Sequence, residues 1–357
     1  RTTPDVVKKA TRNPYQPRIN AIRKAIHVED KRLRQKYTWL QHQNALGMAW
    51  FLSSLAIMAG TSYLYLTGAM AWYFMIPIMA FASSILHELE HDLIHDLYFK
   101  EMKFVQHIMF AFIWVSKLNA NPWWRKPLHL KHHKTSGQMT DIEERLIGLG
   151  LPVGLKKLFV TLTPIGSYLV IFEVARDQKI LKSLPGLDVV LASIVNLPMI
   201  IPAVACFIAS LLPAGTLPAP WQSTMTAISM LLYLPNVLRQ VSLQFISTGV
   251  HYFGDIPENN VFFQNQVLNH WAFLPFQLFC FNFGETHIIH HYVTRQPFYL
   301  RQMIVPGTQA EFKRQGVRFN DIQIWNRAHR WAGYQGDNVV TPMAMGSYTC
   351  SLATLPL

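Results

Sequence analysis

The chain has 357 residues, of which 50% are hydrophobic and only 15% are charged, and its formal net charge is +12. This length allows one large domain or two ordinary ones. The low charge and high hydrophobicity argue against a typical soluble domain and favour a membrane protein. A positive net charge can also indicate nucleic-acid binding, but the placement of the charges described below argues against that class. No nucleic-acid partner is expected.

The first predicted element is a basic arm at residues 1–44, in which Lys and Arg residues run from Lys8 to Lys36. Two interpretations of this arm stay open. It is either a juxtamembrane surface attracted to anionic lipid or a solvated amphipathic helix.

Two long blocks without Asp, Glu, Lys or Arg follow, at residues 45–87 and 189–238. A membrane-spanning helix needs about 20 apolar residues, so each block is long enough for two spans joined by a tight turn. Turn residues lie inside both blocks, at Thr67-Gly68 and at Pro213-Ala214-Gly215. The sequence therefore predicts an all-α integral membrane fold with four transmembrane helices in two hairpins. We expect these spans at about 46–66, 70–90, 190–211 and 223–247.

The positive charges lie in three regions: the arm, the segment between the two blocks, and the chain after Leu238. Two hairpins return the chain to the side from which it started, so these three regions share one face. The short opposite loops carry no positive charge, and the positive-inside rule makes the basic face cytoplasmic. We therefore expect both ends of this chain in the cytoplasm, together with a helical cap.

Three shorter apolar stretches predict helices that lie at the membrane surface or pack on the bundle, at residues 102–116, 151–172 and 268–283. The last residues, 302–357, are mixed in composition and predict a cytoplasmic C-terminal tail. The predicted domains are thus the arm at 1–44, a four-span core at 45–301 and the tail at 302–357. Cys206, Cys280 and Cys350 show neither metal-ligand spacing nor a disulfide framework.

The 15 histidines give the strongest functional signal. At the end of the second predicted span, His87 and His91 enclose an H-E-x-x-H motif, and His95 follows one turn later. Two further clusters read H-x-x-H-H, and their members are His129, His132, His133, His287, His290 and His291. Positions i, i+3 and i+4 of a helix lie on one face within about 100°. Each cluster can therefore aim its imidazoles at a common point.

His251, at the end of the fourth predicted span, raises the set to nine imidazoles without His95. A tetrahedral zinc site uses three or four protein ligands, so nine imidazoles predict two metals with open coordination positions. Imidazole-rich sites suit iron, copper, nickel and zinc. The residues alone leave the identity of the metal open.

Three histidine clusters in a four-span protein resemble the membrane-bound non-haem di-iron family of fatty-acid desaturases, hydroxylases and alkane monooxygenases. The resemblance covers about residues 45–301 and implies that two iron ions bind the clustered imidazoles, with O2 as co-substrate. The implied ligands are His87, His91, His129, His132, His133, His251, His287, His290 and His291, with His95 as a further candidate. Acyl-chain desaturases often carry an Asn one turn before the residue that His251 resembles, but this chain has Ser247 there.

The family's iron pair is bound almost wholly by imidazoles, so nearby carboxylates are expected to accept the second ring N–H of a ligand and fix its tautomer. The candidates next to the clusters are Glu88, Glu90, Asp92, Asp255 and Glu285. An ordinary surface or helix-end charge is the alternative for each.

The chemistry implied is abstraction of hydrogen from the alkyl chain of a fatty acid or acyl lipid. Loss of a second hydrogen gives desaturation, and loss of CO2 gives a 1-alkene, as in a bacterial branch of the family; hydroxylation is the third outcome. A bacterial inner-membrane location would accompany that branch. Because no electron-transfer motif is evident, we expect an external ferredoxin or cytochrome with its reductase. Lys131, Lys134, Arg295 and Arg301 are candidates for its docking surface.

Two other classes compete with this interpretation. The H-E-x-x-H motif is also typical of zinc proteases, in which Glu88 would be the general base. However, residues 190–238 contain no acid that could complete such an intramembrane site. The second alternative is a non-enzymatic metal transporter or storage protein, which metal content and oxygen uptake would distinguish.

Overall fold

The computed structural model describes residues 13–118, 120–163, 166–176 and 186–332. Within these ranges the chain is helical and forms no β-strand, as predicted for an all-α fold. Two isolated bridges join His251 to Asn265 and Val267 to Phe319. The first twelve residues of the predicted arm and the predicted tail beyond residue 332 lie outside the described residues.

The first eight helices are α1 Gln16–Lys36, α2 Gln43–Leu66, α3 Trp72–Ile94, α4 Lys103–Lys117, α5 Pro122–Thr135, α6 Ile142–Leu146, α7 Leu155–Leu162 and α8 Gly166–Arg176. The later helices are α9 Gly186–Ser210, α10 Ala219–Ile228, α11 Leu234–Val250, α12 Val261–Gln264, α13 Leu274–Leu278, α14 Phe283–Tyr292 and α15 Phe298–Gln315.

Helices α2 and α3 match the first predicted hairpin and pack against each other. Both are long and apolar enough to cross a membrane. Gly68 has a φ of +74° in the connecting turn, a conformation that glycine adopts without strain. The last four turns of α3 are buried, and this part of the helix carries the first histidine motif.

The second predicted hairpin is helical, but its helices are less regular. Among the described residues, α2 and α3 have the length and hydropathy expected of a span, and residues 195–210 of α9 are apolar as well. The predicted fourth span is divided into α10, a π-helical turn at Ser229–Tyr233, and α11. The wide turn ends two residues before Pro235, which lacks the N–H needed to continue regular α-helical bonding. Four membrane spans therefore stay a prediction.

Most of the described part of the basic arm is helix α1, which packs against α15. Its apolar side is buried there and includes Ile19, Ile22 and Ile26. The protein itself thus covers the apolar side of the arm. Contact of its basic side with anionic lipid is still a prediction.

The shorter apolar stretches fold in different ways. The first is helical in α4, as predicted, and the second is divided between α7 and α8. The single helix predicted at 268–283 is wrong, because only a 3₁₀ turn at Trp271–Phe273 and the short α13 form there. The chain then reverses through Phe281 and Asn282, whose φ angles are +49° and +56°.

Gly137 fixes the turn after α5, and we expect Gly137→Ala to destabilise the protein. Its φ is +80°, and an added Cβ would lie 2.1 Å from Ile256 Cδ1 and 2.8 Å from the carbonyl oxygen of Tyr252. Overpacking costs about 1–3 kcal/mol, and the left-handed backbone adds about 1–2 kcal/mol for a residue with a Cβ.

Thermal unfolding of the purified variant in detergent measures this loss. Gly60→Ala is the control, because an added Cβ in the middle of α2 meets nothing within 4 Å. An unchanged melting temperature for Gly137→Ala would contradict the prediction.

Candidate metal centre

Four segments bring histidines to one place: the end of α3, helix α5, helix α14 and the residue that follows α11. In α5 and α14 the i, i+3, i+4 spacing places three imidazoles on one side of each helix. The ring nitrogens gather into two groups.

The first histidine group contains His91, His95, His129, His133 and His290, whose candidate ligand nitrogens all lie within 4.8 Å of one another. His133 lies at its centre. The Nε2 atom of His133 is 3.1 Å from that of His95, 3.2 Å from that of His129 and 2.9 Å from that of His290.

The second histidine group contains His132, His251, His287 and His291, again within 4.8 Å. The Nε2 atom of His287 is 2.9 Å from those of both His251 and His291. The Nε2 atom of His132 is 3.3 Å from that of His291. The two groups are adjacent because His132 and His133 are neighbours in the chain.

These distances fit two metal ions. With a metal–nitrogen bond of about 2.1 Å, as for imidazole on zinc, ligands at right angles lie about 3.0 Å apart. Moreover, both ring nitrogens of His91 are buried and have no hydrogen-bond partner among the described residues. Buried polar atoms are nearly always partnered, so these atoms fit ligands better than structural imidazoles.

The first histidine motif supplies a different pair of imidazoles to the histidine groups from the pair predicted from the sequence. His95, the additional candidate there, lies in the first histidine group, whereas His87 lies in neither group. The Nδ1 atom of His87 is instead 3.2 Å from the Nζ atom of Lys117. The geometry therefore joins His91 with His95, and a ligand role for His87 stays a prediction.

Oxygen acceptors orient several of these imidazoles through Nδ1. The carboxylates of Glu143 and Asp141 lie 2.7 Å from the Nδ1 atoms of His129 and His132. The Nδ1 atom of His251 is 2.8 Å from the carbonyl oxygen of Ser247. Such partners leave Nε2 free to bind metal and make the imidazole a stronger ligand.

Sequence reasoning missed Asp141, Glu143 and Glu144, because it considered only acids next to the clusters in the chain. These acids lie at the start of α6, which packs against α5. A run of three acids within four residues, shortly after H-x-x-H-H, was the available signal.

The five predicted carboxylates lie in several environments. Glu88 and Asp92 bind Arg301, at 2.8 and 3.3 Å, and Arg301 Nη1 is 3.1 Å from His290 Nδ1. Glu90 binds Lys117 and Arg125.

The other two candidates form no described contact with an imidazole. Asp255 accepts from the backbone N–H groups of Trp331 and Ala332, and Glu285 accepts from Gln309.

Arg301 was a candidate for the docking surface, but it is only 1% exposed. That assignment is wrong, because Arg301 is an internal partner of the α3 acids.

Burial keeps most of these imidazoles neutral. It lowers the pKa of His95 to about 2 and that of His251 to about 3, so their lone pairs are available to a metal. His132 differs: burial lowers its pKa, but the Asp141 carboxylate outweighs this and the net pKa rises to about 10. A metal cation at Nε2 would take the place of the proton that Asp141 stabilises.

A cavity of about 160 Å³, the main cavity, adjoins both histidine groups. Imidazoles form part of its lining, including those of His91, His251 and His287. Apolar side chains line much of the rest and include Leu128, Ile171, Ile200, Leu243 and Phe283. A chain of methylene groups is the kind of ligand that such walls accept.

We expect Asp141→Asn to weaken metal binding in the second histidine group by about 10- to 100-fold, the usual effect of removing such a hydrogen-bond partner. Asparagine keeps the shape of the side chain but removes the negative charge beside His132. Metal affinity is measured by competition with a chromophoric chelator.

Asp96→Asn is the matched control, because Asp96 binds Lys103 and Lys126 rather than an imidazole. Equal affinities of both variants and the wild type would argue against a role for Asp141. The first histidine group should keep its metal in either variant.

The helical fold, the paired histidine groups and the apolar cavity beside them are typical of membrane-bound metal-dependent oxidoreductases. Comparison with known families agrees, since the fatty acid desaturase family matches residues 67–323. This match spans well over half of the chain, and the chain belongs to the fatty acid desaturase family. A comparison with curated proteins gives no match.

Membership has direct consequences for the competing interpretations. The family is membrane-bound, di-iron-dependent and oxidative, and it acts on fatty acids. The protease interpretation of the H-E-x-x-H motif and the metal-storage interpretation do not agree with it.

Proposed function

We propose that this protein is an O2-dependent di-iron oxidase that removes hydrogen from the alkyl chain of a fatty acid or acyl lipid. The product is an unsaturated chain or, by oxidative decarboxylation, a 1-alkene; hydroxylation is the alternative. The observation that carries the proposal is the position of two buried imidazole groups at the wall of one largely apolar cavity.

The proposed ligands follow the two groups in the structure. One iron is assigned to His91, His95, His129, His133 and His290, and the other to His132, His251, His287 and His291. When bound, this pair supplies the activation of O2 and the oxidation of an unactivated C–H bond.

The chain's own residues do the positioning. Glu143 and Asp141 lie at the Nδ1 atoms of His129 and His132 and would leave Nε2 of each ring available to a metal. The apolar cavity wall aligns the alkyl chain beside the imidazoles and limits the entry of water, which would otherwise compete for the reactive site.

The proposed setting is a bilayer, with the histidine groups on the cytoplasmic side and a bacterial inner membrane as the location. Electrons come from an external ferredoxin or cytochrome with its reductase. Among the residues predicted for the docking surface, Lys134 and Arg295 are exposed and support this proposal, whereas Arg301 is not available.

Product analysis tests the proposal. The purified protein should bind about two irons per chain and consume O2 when given dodecanoic acid and a reducing system. Gas chromatography with mass spectrometry distinguishes 1-undecene, unsaturated acid and hydroxy acid. A single zinc ion per chain, or no oxidised product from any fatty substrate, would overturn it.

A further inference from the structure

Arg239 is a buried cation for which the proposed chemistry has no use. It is 1% exposed and lies within the predicted fourth span. Its Nε atom donates to Asn236 Oδ1 at 3.2 Å, and Nη2 donates to Gln240 Oε1 at 3.1 Å and to the Lys117 carbonyl at 3.3 Å. Its Nη1 atom has no hydrogen-bond partner among the described residues.

Among the described residues no carboxylate lies within ion-pair distance of Arg239, and the nearby Glu90 acts on its charge only from farther away. Glu90 binds Lys117 and Arg125, and Arg125 also binds Glu143. Two acids therefore offset these two neighbouring cations. Arg239 forms no ion pair with any carboxylate in the described part of the chain, although burial of an unpaired charge is costly. An ionisable side chain at membrane depth generally marks a functional site with a specific partner.

Arg239 also lines a space beside the main cavity. This side chamber has a volume of about 20 Å³, and its walls include Leu118, Ala203, Tyr233 and Arg239. Ile200 and Gln240 line both the side chamber and the main cavity. Arg239, whose Nη1 atom has no partner among the described residues, therefore lines a chamber that shares two wall residues with the space proposed for the alkyl chain.

The size of the side chamber restricts what Arg239 can bind. One water molecule needs at least about 10–15 Å³ on this measure, so the chamber suits a head group of very few atoms. A carboxylate is small, planar and matched to guanidinium geometry. The phosphodiester and glycerol of a phospholipid, or the long carrier arm of an acyl thioester, are much larger.

We infer that Arg239 binds the carboxylate of a free fatty acid whose alkyl chain lies in the main cavity. This inference rests on the proposed function, which places a fatty chain there, and it assigns the substrate class as a non-esterified monocarboxylate. The Nη1 N–H donates to one carboxylate oxygen, and the ion pair supplies the negative charge that the buried guanidinium lacks. Arg239 acts in binding and touches no reacting C–H bond.

Equilibrium binding to the purified, iron-loaded protein in detergent tests the inference at pH 8, where the acid is ionised. Radiolabelled dodecanoate and methyl dodecanoate are the probes, with the wild type, Arg239→Met and Arg239→Lys. The wild type should prefer the acid. Arg239→Met should bind the acid about 10- to 100-fold more weakly, as expected for a lost hydrogen bond to a charged group, and the ester as before.

Lys157→Met is the matched control, because it removes a buried cation that binds Gly148 O and His329 and lines neither cavity. It should keep the preference for the acid. Unlabelled dodecanoate should displace the labelled acid, whereas didodecanoyl phosphatidylglycerol should not. Displacement by the phospholipid at equal concentration would point to a lipid phosphate and overturn the assignment.

Equal binding of acid and ester by the wild type, or an undiminished affinity of Arg239→Met for the acid, would also overturn the carboxylate site. If Arg239→Met does not fold, the affinity of Arg239→Lys for the acid and the comparison of acid with ester in the wild type still test the carboxylate site. Failure of the proposed function has a different signature, namely that no fatty substrate is oxidised although the binding preference persists.

Discussion

His95→Ala is expected to lower bound iron from about two ions per chain to about one and to abolish turnover. His95 Nε2 lies 3.1 Å from that of His133 and 3.0 Å from that of His290, and both are members of the first histidine group. Removal of this imidazole takes one of the five ligands assigned to this iron from the group. Iron analysis and Mössbauer spectroscopy of the purified protein measure both the stoichiometry and the coordination.

His87→Ala is the matched control, since it removes an imidazole from the same helix two turns earlier. Because His87 faces Lys117 and lies outside both groups, this variant should keep both irons. The opposite pattern, with iron lost in His87→Ala and retained in His95→Ala, would restore the assignment drawn from the sequence. Residual activity of His87→Ala should also be measured, because its ring lines the main cavity.

Arg301→Met should destabilise the fold by about 3–5 kcal/mol, the usual cost of removing one partner from a buried ion pair. Arg301 is the cation that Glu88 and Asp92 share in the interior, at 2.8 and 3.3 Å. Methionine nearly fills the space but leaves two buried acids without a positive partner. Thermal and denaturant-induced unfolding in detergent measure the loss.

Two further variants test whether the loss of stability comes from the buried ion pairs of Arg301. Arg32→Met removes an exposed arginine that binds Glu29 and should change the melting temperature little. The double variant Glu88→Gln with Arg301→Met should recover part of the loss, because the two residues interact directly. A wild-type melting temperature for Arg301→Met would show that this network does not hold α3 and α15 together.

The helix-spacing rule predicted most of the candidate centre but could not choose between His87 and His95. Both lie four residues from His91, and both face about the same side of α3. The choice depends on how far α3 extends toward α5 and α14, which is a matter of tertiary packing. Asp141 and Glu143 were missed for the same reason, because they reach the imidazoles from a different helix.

Hydropathy predicted the first hairpin well because α2 and α3 are regular and uninterrupted. It failed at residues 268–283, where polar side-chain contacts replace helical hydrogen bonds. Gln277 donates to the Leu268 carbonyl at 2.8 Å and accepts from Gly284 N–H at 3.0 Å. A glutamine inside an apolar stretch does not indicate that the helix will be broken, since glutamine is also common in helices.

The bridge between His251 and Asn265 ties one ligand of the second histidine group to the segment that follows it in the chain. Around it, Tyr252 N–H donates to Gln264 O and Gln266 N–H donates to Val250 O, both at 2.9 Å. Val267 N–H donates to Arg318 O and Asn320 N–H donates to Val267 O, so residues 318–320 close the same small ladder. Opening of this ladder would release His251, and thus loss of the second metal and local unfolding of both segments are one linked equilibrium. Metal occupancy should therefore control how fast backbone amides in these segments exchange with solvent.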